Sequence, residues 1–163
     1  MKIENLNDLF LHTLQDIYFA EKQIVKALPK MMKKTDSPEL GKAFESHLAE
    51  TEEQVTRLEQ VFEMLGEKPK ATKCPAIEGI IEEANELIAD IQDPDTRDAG
   101  MIAAAQAVEH YEITRYGTLV SWAELLGMKD AAKVLGQTLK EEYGADQKLT
   151  KLAESRLNKE AAE

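Results

Sequence analysis

The stretch AAAQAVEHYEITRYGTLVSWAELLG, residues 103–127, decides the class of fold. Ala105, Val108, Glu109, Glu112, Tyr116, Leu119 and Ala123 recur at intervals of three and four, the period of one helix face. Two of those seven inward positions are glutamates, one turn apart, set between Val108 and Tyr116. Gly127 closes the pattern, as a glycine does at a helix C-terminus. The segment therefore reads as a helix over about 96–126 that carries acid on its core-facing side.

The same period governs the rest of the chain. Leu14, Ile17, Glu21, Ile24 and Leu28 mark a helix over about 6–34, with Asn5 or Asn7 as its cap and Pro29 as a kink or an early stop. Ser37 and Pro38 then supply an N-cap and a first helical residue. The helix they open, about 38–65, buries Phe44, His47, Leu48, Thr51, Val55, Leu58, Phe62 and Leu65, and Gly66 ends it. A shorter helix over about 77–91 carries the stripe Ile77, Ile80, Ile81, Ala84, Leu87, Ile88 and Ile91, and Asp93-Pro94-Asp95 breaks it. A last helix over about 129–158 aligns Leu135, Leu139, Glu142, Asp146, Leu149 and Ala153, before a polar tail that frays. No run shows strand-like alternation, so the fold class is all-α.

Loop lengths set the connectivity. The breaks after the first and third long helices are short, so each closes an antiparallel hairpin. The gap between the second and third long helices can run the length of a helix of about 28 residues, roughly 42 Å. This predicts an up-down-down-up four-helix bundle with one short extra helix in the long crossover, a single domain over residues 1–163. That extra helix lies against the bundle or at a subunit contact.

Composition narrows the partners. The 163 residues are 43% hydrophobic and 31% charged, with 8 glycines and 5 prolines, as expected of a globular rather than a disordered or turn-rich β protein. Lys and Arg total 20 against 31 Asp and Glu, a net charge of −11 that repels nucleic acid and anionic membrane and attracts cations. A single cysteine, Cys74, excludes an intrachain disulfide and a cysteine-rich metal site. The N-terminal MKIENLNDLF carries early acids and no apolar core, so we expect no signal peptide and a cytoplasmic address.

The acids on the inner faces carry the functional signal. Glu21 takes an aliphatic position in its helix, and Glu50 follows His47 by one turn at the edge of the second helix's apolar face. Glu109 and Glu112 share a face of their helix, as do Glu142 and Asp146 of theirs. All six acids lie near the middles of helices of similar length, so side-by-side packing brings them into one layer. Glu21 and Glu50 are separated by nearly the same stretch as Glu112 and Glu142, which suggests two similar hairpins about a pseudo-two-fold axis.

Buried carboxylates at this density must be protonated, paired with base, or bound to cations. Arg115 and Lys22 point elsewhere on their helical wheels, which leaves metal: Fe or Mn, with Mg or Ca as alternatives, and two ions to match the ligand count. Glu50 taken alone reads equally as the wet edge of a stripe. Glu52, Glu53, Glu82, Glu83 and Glu141 read as solvated face, and His12 and His110 as surface residues. Tyr18, Tyr116 and Tyr143 read as packing, and His47 divides evenly between ligand and core.

The segments YFAEKQ, HLAETEEQVTRLEQVF, KCPAIEGIIEEANE, AAAQAVEHYEITRYGTL and LKEEYGADQKLT resemble the YciE/YciF-type stress protein family of the ferritin-like superfamily, over nearly the whole chain. The resemblance implies a homodimer of ferritin-like bundles, a di-metal site and chemistry with iron, oxygen or peroxide. By position it implies Glu21, Glu50, Glu109, Glu112 and Glu142 as ligands. The superfamily's Glu-x-x-His is missing, because Glu53 follows Glu50 and Ala145 follows Glu142 at that spacing. His47 and Asp146 stand a turn away on either side instead, so the expected metal set is Glu21, His47, Glu50, Glu109, Glu112, Glu142 and Asp146. Two functions compete: a di-metal carboxylate protein handling oxygen, peroxide or iron under stress, or a non-catalytic dimeric metal-binding or interaction protein with a vestigial site.

Overall fold

The computed structural model describes residues 2–163, and among them no strand occurs. Five substantial helices follow one another: α1 (Leu6–Met32), α2 (Pro38–Met64), α3 (Pro75–Asp90), α4 (Pro94–Leu125) and α5 (Lys129–Leu152). A π-turn over Ala153–Leu157 and a final turn, α6 (Asn158–Glu160), complete the chain. α1 packs on α2 and α4 on α5, while α2 also meets α5 and α1 meets α4. Each long helix therefore has two long neighbours. α3 lies on the outside against α4 and α1.

Local chemistry explains the boundaries. Asn5 caps α1 by accepting from the Asp8 amide at 3.0 Å, and Ser37 caps α2 through the Leu40 amide at 3.4 Å. Asp93 accepts from the Thr96 amide at 2.7 Å, so the motif that breaks the preceding helix also starts α4 at Pro94. Gly66 and Gly127 adopt φ of 69° and 77°, and each anchors a pair of returning bonds. In the first, Glu67 N–H reaches the Phe62 carbonyl at 2.9 Å; in the second, Met128 N–H reaches that of Ala123 at 2.8 Å.

One alternative in the sequence reading falls away, and one boundary moves. Pro29 does not end α1, which continues to Met32. Its missing donor removes one bond near the end of a long helix, while Leu28, Met31 and Met32 still pack on the core. The last helix leaves α geometry at Ala153 rather than near residue 158. The π-turn keeps Ala153 and Leu157 buried and lets Arg156 donate to Ser37 Oγ at 3.0 Å and Glu39 at 2.9 Å.

The core runs the length of the bundle, with Phe10, Phe44, Phe62, Leu14, Ile17, Met101 and Leu119 fully buried. Each such side chain stabilises the fold by about 1.5–3 kcal/mol. Tyr18 meets Phe62 edge-on with ring centres 5.5 Å apart. At one end, Asp98 of α4 is buried and accepts from the Ser37 and Asp36 amides at 2.6 and 3.1 Å and from Thr35 Oγ1 at 3.0 Å. That carboxylate ties the α1–α2 turn to α4. Along the crossover, Thr72 bonds Gln15 through both backbone and side chain, which holds the connection on α1.

Candidate metal centre

Halfway along the bundle the aliphatic core gives way to acid. Glu21 of α1, Glu112 of α4 and Glu142 of α5 are completely buried, Glu109 is 1% exposed, and His47 of α2 is 8% exposed. One donor atom from each of His47, Glu109, Glu112 and Glu142 lies within 4.8 Å of the others. His47 Nε2 is 3.2 Å from Glu109 Oε1. Glu21 borders the same group: it faces Glu112 and receives the hydroxyl of Tyr116 on Oε1. All four long helices thus contribute.

Partners are too few for these atoms. Glu21 Oε2, Glu109 Oε2, both oxygens of Glu112, Glu142 Oε2 and His47 Nδ1 are buried without a hydrogen-bond partner. Among the described residues, no Lys or Arg pairs with any of the four glutamates. Arg57 instead forks Glu141, with contacts of 2.5 and 2.9 Å, and Lys148 reaches Glu50 at 3.6 Å. Arg115 lies over the Tyr111 ring and Lys22 over that of Tyr18.

Burial and mutual repulsion displace the titrations. Desolvation first, and neighbouring carboxylates second, push Glu21, Glu109 and Glu112 above the usual carboxylate range. Glu142 is raised by desolvation as well, although the hydrogen bond from Gln54 works against it. Desolvation, aided by Lys148, lowers His47 to about 4 and keeps its imidazole neutral, the form that ligates metal. Without a cation the acids share protons; a cation replaces those protons and satisfies the bare oxygens. Ligand bonds of about 2.1 Å place opposing donors about 4.2 Å apart, so a small contraction of the cluster encloses an ion. Three carboxylates and one imidazole form a hard, mainly oxygen donor set suited to first-row divalent ions. The residues present therefore fit a metal.

Not every expected ligand joins the group. Glu50 is half-exposed beside Lys148, and Asp146 accepts from Gln106 at 2.9 Å with His110 at 3.3 Å. Residues outside the expected set enter instead. Gln54 Nε2 donates to Glu142 at 2.5 Å and to Glu141 at 3.3 Å, so it orients one donor from the next turn of α2. Glu141, read from sequence as solvated face, is tied to Arg57 and Gln54 and is only a quarter exposed. Tyr116, read as packing, is also the donor to Glu21. A polar residue on the inner face of α2, one turn past the edge acid Glu50, was the available signal for Gln54.

The family model described as "Domain of unknown function (DUF892)" matches residues 5–162. The chain belongs to the DUF892 family. Protein YciF of Escherichia coli (strain K12) is 49% identical over 162 residues, covering 99% of this chain and 98% of that protein. The crystal structure of the E. coli stress protein YciF superposes with a TM-score of 0.92 over 96% of this chain and 99% of that one. YcfI from Rhodopseudomonas palustris, 51% identical, superposes with a TM-score of 0.90 over 91% of this chain and 95% of its own. The five helices are therefore an arrangement that this DUF892 member shares with solved relatives. No helix among the described residues is long and apolar enough to cross a membrane.

Proposed function

We propose that this DUF892 member is a ferritin-like, up-down-down-up four-helix-bundle protein, one domain in all, that holds Fe or Mn and handles oxygen, peroxide or iron under stress. The reading is carried by one observation: buried oxygens of Glu109, Glu112 and Glu142 converge with His47 and have no cationic partner. The helix neighbours support the bundle, since two hairpins meet through α1–α4 and α2–α5. Stress protection rests on the name of the E. coli relative. A homodimer in the cytoplasm belongs to the same reading and rests on the family resemblance.

Glu109, Glu112, Glu142 and His47 form the primary site. A second ion would use Glu21 together with the free oxygen of Glu112, and Glu50 if it turns inward from Lys148. Bound Fe or Mn would supply Lewis acidity and electrons to an oxygen or peroxide molecule. The chain's own part is to exclude water, to hold His47 neutral, and to fix Glu21 and Glu142 through Tyr116 and Gln54. A second reading, metal held without turnover, is favoured by the engagement of Glu50 and Asp146 outside the cluster, which leaves donors for one ion.

Calorimetric titration of metal-stripped protein with Mn(II), and anaerobically with Fe(II), tests the proposal. We expect at least one ion per chain, abolished in Glu112→Ala/Glu142→Ala. Two ions with oxygen consumption support the redox reading, and one without it supports the holding reading. No binding in the wild type overturns both.

A further inference from the structure

A cavity of about 40 Å³ lies beneath α3, where that helix crosses α1 and α4. Ile24 and Leu28 of α1, Ile81 and Ile88 of α3, and Ala105 and Val108 of α4 form its walls. The exposed Asn85 and half-buried Ala84 mark its solvent side. Its other end is bounded by His47 and Glu109, which belong to the donor cluster. An aliphatic passage thus separates solvent from the one edge of the carboxylate site that carries an imidazole.

Size and lining select the occupant. A water molecule needs about 10–15 Å³ of such space and two or more polar partners, and an aliphatic cavity of about 150 Å³ is needed for benzene. At about 40 Å³ the cavity admits a molecule of two or three atoms and excludes a ring or an acyl chain. Polar groups meet the cavity only at Asn85 on its solvent side and at His47 and Glu109 on the other; the aliphatic walls between them offer no hydrogen bonds, so water or peroxide loses such bonds on the way through. We propose that this cavity is a binding site for a small apolar molecule of dioxygen size, and that it delivers dioxygen, rather than peroxide, to the His47–Glu109 edge of the metal site. The delivery rests on the metal reading above; the binding does not. The packing of α3 on α1 and α4 gives that helix a task in the site although none of its residues joins the donor cluster.

The test uses xenon, an apolar atom of similar reach, with metal-free crystals under gas pressure. We expect one xenon peak among Ile81, Ala105 and Val108, lost in Ala84→Phe and in Ala104→Leu, which fill the space from α3 and from α4. Thermal melting of both variants verifies that they fold. With Fe(II) loaded, Ala84→Phe should slow oxidation by dioxygen at least tenfold, leave oxidation by peroxide within twofold, and keep the same metal count. An absent xenon peak, extended chain-like density in the cavity, or equal dioxygen rates in wild type and variant overturns the proposal. Xenon bound beside a site that takes up no metal leaves the cavity as a gas site and refutes delivery, so failure of the cavity and failure of the metal reading are separable.

Discussion

The hydroxyl of Tyr116 on α4 donates to Oε1 of Glu21 on α1, and both side chains are completely buried. The bond crosses the α1–α4 contact at the height of the donor cluster and leaves Glu21 Oε2 with no protein partner. A tyrosine that only filled space would not need its oxygen at a carboxylate. The pair couples the packing of two helices to the orientation of an acid that the fold cannot otherwise satisfy.

Tyr116→Phe should therefore separate packing from orientation. The ring volume is kept and one buried hydrogen bond is lost, a cost of about 1–2 kcal/mol in urea unfolding of the metal-free protein. Loss of a group that orients a ligand typically weakens metal affinity about 10–100-fold. We expect Mn(II) titration of Tyr116→Phe to show the wild-type stoichiometry at lower affinity.

The metal-free protein should lose stability as pH rises. Glu21 is raised to about 8 in the folded chain from an ordinary value of 4.5, and Glu109 and Glu112 are raised as well. A group protonated in the fold but ionised in the unfolded chain stabilises below pH 4.5, and that contribution is lost as pH climbs through the folded value. His47, lowered to about 4, acts oppositely between pH 6.5 and 4, but it is one group against several. Melting temperatures of metal-free protein should fall from pH 5 to pH 8, and saturating Mn(II) should flatten the profile while binding releases protons.

Glu112→Gln should stabilise the metal-free protein while removing the site. The amide keeps the shape and removes a buried acid whose two oxygens are unpartnered. At pH 8 we expect urea unfolding to show a variant more stable than wild type, with metal uptake lost. A variant less stable than wild type at that pH would mean that the protein stabilises Glu112 as a carboxylate even without metal.

Most of the helical layout was legible in the sequence because cap chemistry and period-three-and-four stripes are local. Ser37-Pro38, Gly66 and Gly127 act within a few residues of themselves, so they can be read without knowing the fold. Glu21, Glu109, Glu112 and Glu142 were legible as well, since an acid on an apolar stripe is conspicuous. Glu50 and Asp146 were not separable from them, because their side chains are drawn aside by Lys148, His110 and Gln106 from other turns or helices. Asp98 was hidden for the same reason: its three donors come from a turn some sixty residues earlier.

Asp98→Ala supplies a contrast with the site variants. It orphans the buried Ser37 amide and releases the α1–α2 turn, which we expect to cost about 2–4 kcal/mol, at one to a few buried bonds. Because Asp98 lies at the end of the bundle, the metal count of the folded fraction should not change. Urea unfolding and elemental analysis on the same sample check both halves.

The most direct measurement is anomalous diffraction at the manganese edge from crystals of the Mn(II)-loaded protein. We expect a peak enclosed by His47, Glu109, Glu112 and Glu142, with bonds of about 2.1–2.2 Å. A manganese peak only among exposed acids, or no ordered peak with the four glutamates still converged, would contradict it.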